Sequence, residues 1–162
     1  MLVKCIRVGA IRQFALRSVP HQIDNCYMNF AEIDQLPSTL QAVATHQTLS
    51  VGDVLFHRNE ESQAIYAIKS GQVCLLHYTE SGQSISHYAV YAGEMCAEIA
   101  LFLDAYTCSA VVEEPTQVLA FPKQAFLNTL QQNPDFAIAF IMQLSYRLHT
   151  TKIMVENMLS VV

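Results

Sequence analysis

The stretch GEMCAEIALFLDAYTCSAVV, Gly93 to Val112, sets Glu98 between apolar residues and a Cys-Ser pair ten residues later. Glycine and small residues around a lone acid describe a turn, then a short helical segment. Cys108, Ser109, Ala110, Val111 and Val112 then re-enter a strand. Small residues beside an acid let backbone N–H groups face a bound anion while the carboxylate takes ligand hydroxyls. That arrangement suits a sugar phosphate. Equally, Glu98 caps a helix and Ser109 opens a strand with no ligand involved.

Around this stretch the pattern is of short strands. VGDVLF, AIYAIKSG, QVCLLHYTESG, QSISHYAVYAG and TQVLAFP, between Val51 and Pro122, are rich in Val, Ile, Tyr and Phe. Gly52-Asp53, Asn59-Glu60, Ser70-Gly71, Ser81-Gly82 and Ala92-Gly93 separate them, with Ser81-Gly82 reading as a hairpin turn. Asn59 suits a backbone position of positive φ. The spacing predicts an antiparallel barrel or sandwich.

Helical patterns flank the strands. Residues 29–44 predict one or two short helices broken at Pro37, and Lys123–Gln132 a further one ended by Asn133-Pro134. Asp135 is expected to N-cap a long helix running past Asn157. Its apolar residues Ile138, Ile141, Met142, Leu144, Leu148 and Val155, with Ser145 among them, exceed what one face needs, so a homodimer through this helix is expected. The division is an N-terminal extension 1–28 of unknown role, a strand-rich domain 29–134 and the helix 135–162.

The chain has 162 residues, 52% hydrophobic and 14% charged, enough for one ordinary core and against disorder. Net charge is −5, and residues 1–27 carry +3 of it through Lys4, Arg7, Arg12 and Arg17 against Asp24. The acidic remainder argues against non-specific nucleic-acid binding. Arginines interrupt the apolar leader, which breaks a secretory signal; a peripheral segment without chemistry is expected there. Five cysteines without a CxxC pair, together with no membrane-length apolar run, point to a reduced, cytoplasmic protein.

Catalytic signals are weak. No GxSxG, HExxH, P-loop or GxGxxG occurs. A metal-binding cupin would want paired histidines; His77 and His87 are ten residues apart across the Gly82 turn, and partly exposed, non-ligating histidines are expected. Neither an enzyme nor a metal site is expected.

LSVGDVLFHRNEESQAIYAIKSGQVCLL, GEMCAEIALFLDAYTCSAVV and QLSYRLHTTKIMVENML together resemble a cyclic nucleotide-binding domain of the Crp–Fnr, or catabolite activator, type. The resemblance covers about Leu36 to Leu159. It implies a mainly β fold with flanking helices: a double-stranded β-helix (β-roll, jelly-roll-like) plus a long C-terminal dimerisation helix. The middle segment resembles the family's phosphate-binding cassette, Gly-Glu-x-x-Gly-Glu-Leu-Ala-Leu followed by Arg-Ser-Ala. By resemblance Gly93, Ala97, Glu98, Ile99, Cys108, Ser109 and Ala110 form the cassette. Glu98 then takes the ribose hydroxyl and Ser109 the cyclic phosphate, while Arg147 neighbours the acid and Thr151 faces the purine.

Two positions depart from that pattern: Cys108 stands where the family has its phosphate arginine, and Ala97 where it has glycine. A neutral thiol has no bidentate donor to offer. Losing one partner of a buried charge pair costs about 2–5 kcal/mol, roughly a 30- to 4,000-fold loss of affinity. cAMP and cGMP are therefore expected to bind weakly or not at all. The cassette is then empty in a ligand-free dimerisation or interaction module, or takes another, less anionic effector, or uses Cys96 and Cys108 to sense oxidants, nitric oxide or a metal. Inert thiols are expected over the last, since no basic residue adjoins either cysteine. Cys5 and Cys26 do not make an iron–sulfur cluster. The regulators resembled carry a helix-turn-helix after the long helix; none is present here, so no direct DNA contact is expected.

Overall fold

The computed structural model describes residues 28–160, the side chains of residues 84–87 excepted. The leader reading falls on residues outside these. The chain forms two compact units, residues 29–129 and the C-terminal residues from Leu130.

The first unit begins with a 3-10 turn, Ile33–Gln35, and one helical turn α1, Ser38–Gln41. Pro37 separates the two, as its fixed φ and missing N–H require. Six antiparallel strands follow: β1 Thr45–Leu49, β2 Val54–Phe56, β3 Ala64–Tyr78, β4 Ser84–Tyr91, β5 Met95–Cys96 and β6 Ser109–Pro122. Their order is β1-β6-β3-β4, with β2 also on β6 and β5 also on β3.

β3 and β6 are long because each serves two halves of the roll. The first part of β3 pairs β5 and its second part pairs β4. Likewise Ala110–Val111 of β6 lies beside β2, and Thr116–Ala120 beside β1. The sequence pattern breaks β3 at Ser70-Gly71; the structure bends it there instead, with register shifts between Ile68 and Val73. Gly71 has φ +88°, and a Cβ on it would lie 2.3 Å from the Pro115 carbonyl oxygen. Thr116, 1% exposed, accepts the Gln72 N–H (3.1 Å) and donates to the Glu114 carbonyl (2.7 Å), satisfying the groups the bend takes off the ladder.

Alternation along paired strands sorts two cores. Tyr66, Ile68, Val118 and Ala120 join Val73, Val90, Ala110, Val112 and Phe56 inside the roll. Between them Ile65 and Phe121 pair across strands, and Phe121 packs on Phe126 (5.8 Å between rings), which in turn meets Phe30 (6.4 Å). Inside the roll Phe56 stacks on Tyr106 at 4.2 Å and on Tyr66 at 5.7 Å.

α2 runs Lys123–Gln132 and α3 runs Pro134–Ser160. The expected cap moves two residues: Asn133, not Asp135, caps α3, its Oδ1 accepting the Phe136 N–H at 3.0 Å. Pro134 at the first helical position has no N–H to leave unsatisfied. The Ser81-Gly82 hairpin forms as the sequence predicts, with Gly82 at φ +79°, and Asn59 takes φ +69°. Strand β1, Thr45–Leu49, precedes the first strand stretch of the sequence pattern, VGDVLF, whose second half forms β2.

Replacing Gly71 with Ala adds both the backbone strain of positive φ and a steric collision. A loss of about 2–4 kcal/mol is expected in urea denaturation. Gly82→Ala, where nothing lies within 4 Å of the added carbon, carries the strain alone and loses about 1 kcal/mol. Equal losses at the two positions would show that β6 gives way at the bend.

Candidate functional site

The segment from Gly93 to Ala110 connects β4 to β6, and four local devices shape it. Gly93, at φ +83°, turns the chain; its N–H binds the Ile68 carbonyl (2.8 Å) while Glu94 closes the turn onto the Tyr91 N–H (2.9 Å). β5 follows. Then Ala97 takes the left-handed conformation, φ +67°, ψ +23°. This is where the resemblance places glycine, and the reason is conformational: a side chain here costs about 1–2 kcal/mol. Glu98 opens the 3-10 helix Glu98–Phe102.

The far end of that helix is held by residues outside the expected set. Ser62, 4% exposed, places its hydroxyl against the carbonyls of Leu103 and Ala100. Lys123 donates to the Ser62 hydroxyl (3.0 Å) and to the Leu103 carbonyl (2.6 Å), tying the start of α2 to the end of the cassette helix. Backbone bonds Ser62 N to Asp104 O, Tyr106 N to Glu60 O and Asn59 N to Tyr106 O zip the β2–β3 loop onto residues 104–106. The Tyr106 hydroxyl then donates to the Ala64 carbonyl (2.8 Å) and accepts its N–H (3.2 Å), standing in for a strand partner. Burial, with Tyr106 beside it, holds the Tyr66 phenol protonated well above its ordinary range.

At the strand entrance Cys108, 9% exposed, belongs to the core of the roll. Burial pushes its thiol up, only partly countered by a hydrogen bond from Thr107. Ser109 is 5% exposed and its Oγ accepts the Arg58 N–H at 2.9 Å, so this hydroxyl braces the β2–β3 loop. Ala110 is wholly buried. Outward, the cassette helix exposes Ile99 and Phe102, the latter 70%.

The structure thus brings Gly93, Ala97, Glu98, Ile99, Cys108, Ser109 and Ala110 into one continuous element of the first unit. Arg147 and Thr151 are on α3, in the second; there Thr151 returns its hydroxyl to the Arg147 carbonyl (2.8 Å). Of the residues expected on the dimer helix, Ile138, Ile141, Leu144, Ser145, Leu148 and Val155 are exposed and Met142 is half-buried. His77 is half-buried opposite Ile85, and His87 falls at the bulge between Leu75 and Leu76. Among the described residues no group of three or more His, Cys, Asp or Glu is placed to hold a metal, and no helix is long and apolar enough to cross a membrane.

Arg58, Ser62 and Lys123 escape a reading by cassette motif because their partners are 20 to 61 residues away. A signal for the loop exists in HRNEESQ, a polar run between two strands with Asn at its turn.

Comparison with known proteins places this arrangement. Residues 46–133 match the family model of the cyclic nucleotide-binding domain, more than half of the chain, and the chain belongs to that family. DNR from Pseudomonas aeruginosa is 27% identical with a TM-score of 0.63, covering 91% of this chain and 63% of DNR. The sensor domain of that transcriptional regulator is 28% identical, TM-score 0.61, over 88% of this chain and 91% of the domain. The Thermus thermophilus catabolite activator protein, at 23% identity and TM-score 0.61 over 76% of this chain and 60% of its own, shares the fold. Neuropathy target esterase sws of Drosophila melanogaster is 29% identical over 108 residues, 62% of this chain and 8% of the esterase. The chain therefore spans under a tenth of the curated relatives it matches. Its domain is of the Crp–Fnr type.

Alkylation requires the thiolate. At pH 8 Cys108 is expected to react with iodoacetamide more slowly than free cysteine, the rate still climbing with pH beyond the ordinary thiol value of 9.0. Mass spectrometry of digests after timed quenching measures it; a rate like free cysteine's would mean an ionised, accessible sulfur.

Proposed function

We propose that this chain is the effector-binding part of a Crp–Fnr-like transcriptional regulator, with a cassette that has lost its cation for the cyclic phosphate. It works by binding, not catalysis. One observation carries the reading: the residue in the arginine's place is a buried, protonated thiol packed in the core of the roll. The left-handed Ala97 supports it, since the turn before Glu98 keeps its shape without the glycine that adopts that shape unstrained. The cassette's backbone form and its affinity for phosphate are separable, and here the form persists.

Under this reading cAMP and cGMP bind no better than high micromolar by calorimetry. Cys108→Arg strengthens cAMP binding at least thirtyfold, the lower end of the range for a restored buried charge pair. Low-micromolar binding by the unaltered chain, or no gain in the variant, would count against it.

A second reading, a dimerisation or protein-interaction module, is favoured by α3. Ile138, Ile141, Ser145, Leu148, Lys152, Val155 and Leu159 recur at alternating spacings of three and four, and all seven are exposed. Such a seam suits a two-stranded coiled coil with a second copy. The two readings are compatible, because a sensor that passes its signal through a dimer needs both. Ile141→Lys is expected to weaken self-association at least tenfold in sedimentation at micromolar concentration, with the circular dichroism unchanged because Ile141 is 55% exposed. An unaltered dimer would move the interface elsewhere.

A further inference from the structure

Arg58 is the one arginine between residues 29 and 129, and it is tied at both ends. Its backbone N–H donates to Ser109 Oγ at 2.9 Å, and its Nη1 donates to the Tyr78 carbonyl at 3.1 Å. These contacts fix its course. β6 runs between β2 and β3, with Ala110 opposite Phe56 on one side and Ser109 opposite Leu76 on the other. Arg58 follows β2 by two residues, and Tyr78 follows Leu76 by two in β3. The side chain therefore crosses the entrance of β6, where Cys108 and Ser109 lie, spanning about two strand spacings of 4.8 Å.

We propose that Arg58 is the anion-contacting residue of this cassette, supplied by the β2–β3 loop where Cys108 supplies none. The guanidinium rests on a neutral carbonyl, so one of its nitrogens is occupied while its charge is uncompensated there. A carbonyl is also a poor competitor for a guanidinium beside a phosphate or carboxylate, which bind it as charged, bidentate partners. Ser109 acts in this scheme as a positioning residue: it holds the Arg58 backbone against the strand. The ligand class is a small effector carrying one anionic group. Because Arg58 is exposed, solvent screens its pull, and a factor of about five in affinity is the scale expected of it. This rests on the reading that the cassette still receives an effector, and it accounts for residual, not tight, binding of anions.

The test compares cyclic AMP with uncharged adenosine, titrated into the full chain labelled with nitrogen-15 and followed at the Arg58 and Ser109 amides. In the unaltered protein cyclic AMP is expected to bind about fivefold tighter than adenosine, shifting both amides. Arg58→Gln should erase that preference, Arg58→Lys should keep part of it, and Lys69→Gln, an exposed cation on β3, should leave it intact. A preference that survives Arg58→Gln, or no preference in the unaltered chain, including no binding at all, overturns the proposal. Cys108→Arg separates the two readings. If that variant gains affinity while Arg58→Gln changes nothing, the role of Arg58 falls and the degenerate cassette stands. If it gains nothing, the cassette reading falls whatever Arg58 does.

Discussion

Where β3 bends, the Gly71 backbone passes so near β6 that even a methyl group would collide with the Pro115 carbonyl and the Thr116 side chain. That approach sets how the two longest strands align. Tyr66 and Ile68 face the roll interior on one side of the bend, Val73 on the other, and a slip of one residue would turn each set outward. Thr116 makes the approach tolerable by offering its hydroxyl to the backbone groups that the bend leaves unpaired. With β3 and β6 aligned, β2 and β3 flank the entrance of β6, and the cassette has fixed walls between which to fold.

The cassette is held from outside itself. Its helix has no capping side chain at its start, where Ala97 is strained, and little inward surface beyond Ala100 and Leu101. Its far end is fastened through Ser62 and Lys123, a lysine whose donors satisfy a carbonyl and a hydroxyl at an otherwise open helix end. Its exit is fastened through Ser109 and Arg58. The β2–β3 loop thus touches both ends of the cassette. A change at one end has a short covalent path, residues 58 to 62, to the other.

Much of this was legible in the sequence because its causes are local. The glycine and asparagine turns declared themselves through the few residues that accept positive φ, and Asn59, Gly82 and Gly93 all take it. The long helix and its break at Pro134 followed from periodicity. The continuity of β3 through Gly71 was not legible, since Ser-Gly reads as a turn unless the close passage of Pro115, 44 residues on, is known. The helix cap shifted from Asp135 to Asn133 for a local reason, Pro134 fitting the first turn of a helix better than the residue before it. The roles of Ser62, Lys123 and Arg58 arise only when distant strands meet.

On the proposed reading, a cysteine in the arginine's place at the strand entrance lets fold and ligand change separately. An arginine there would need an anion to balance a buried charge, because desolvating it without a partner is costly. A cysteine needs nothing: it is small, weakly polar, and stays protonated when buried. The position that would carry the arginine in the resembled cassette is, in this chain, part of the buried cluster that also holds Phe56, Tyr106 and Ala110. On the proposed reading, removing the charge removes the penalty for an empty site, and recognition of an anion would pass to what the neighbouring loop supplies.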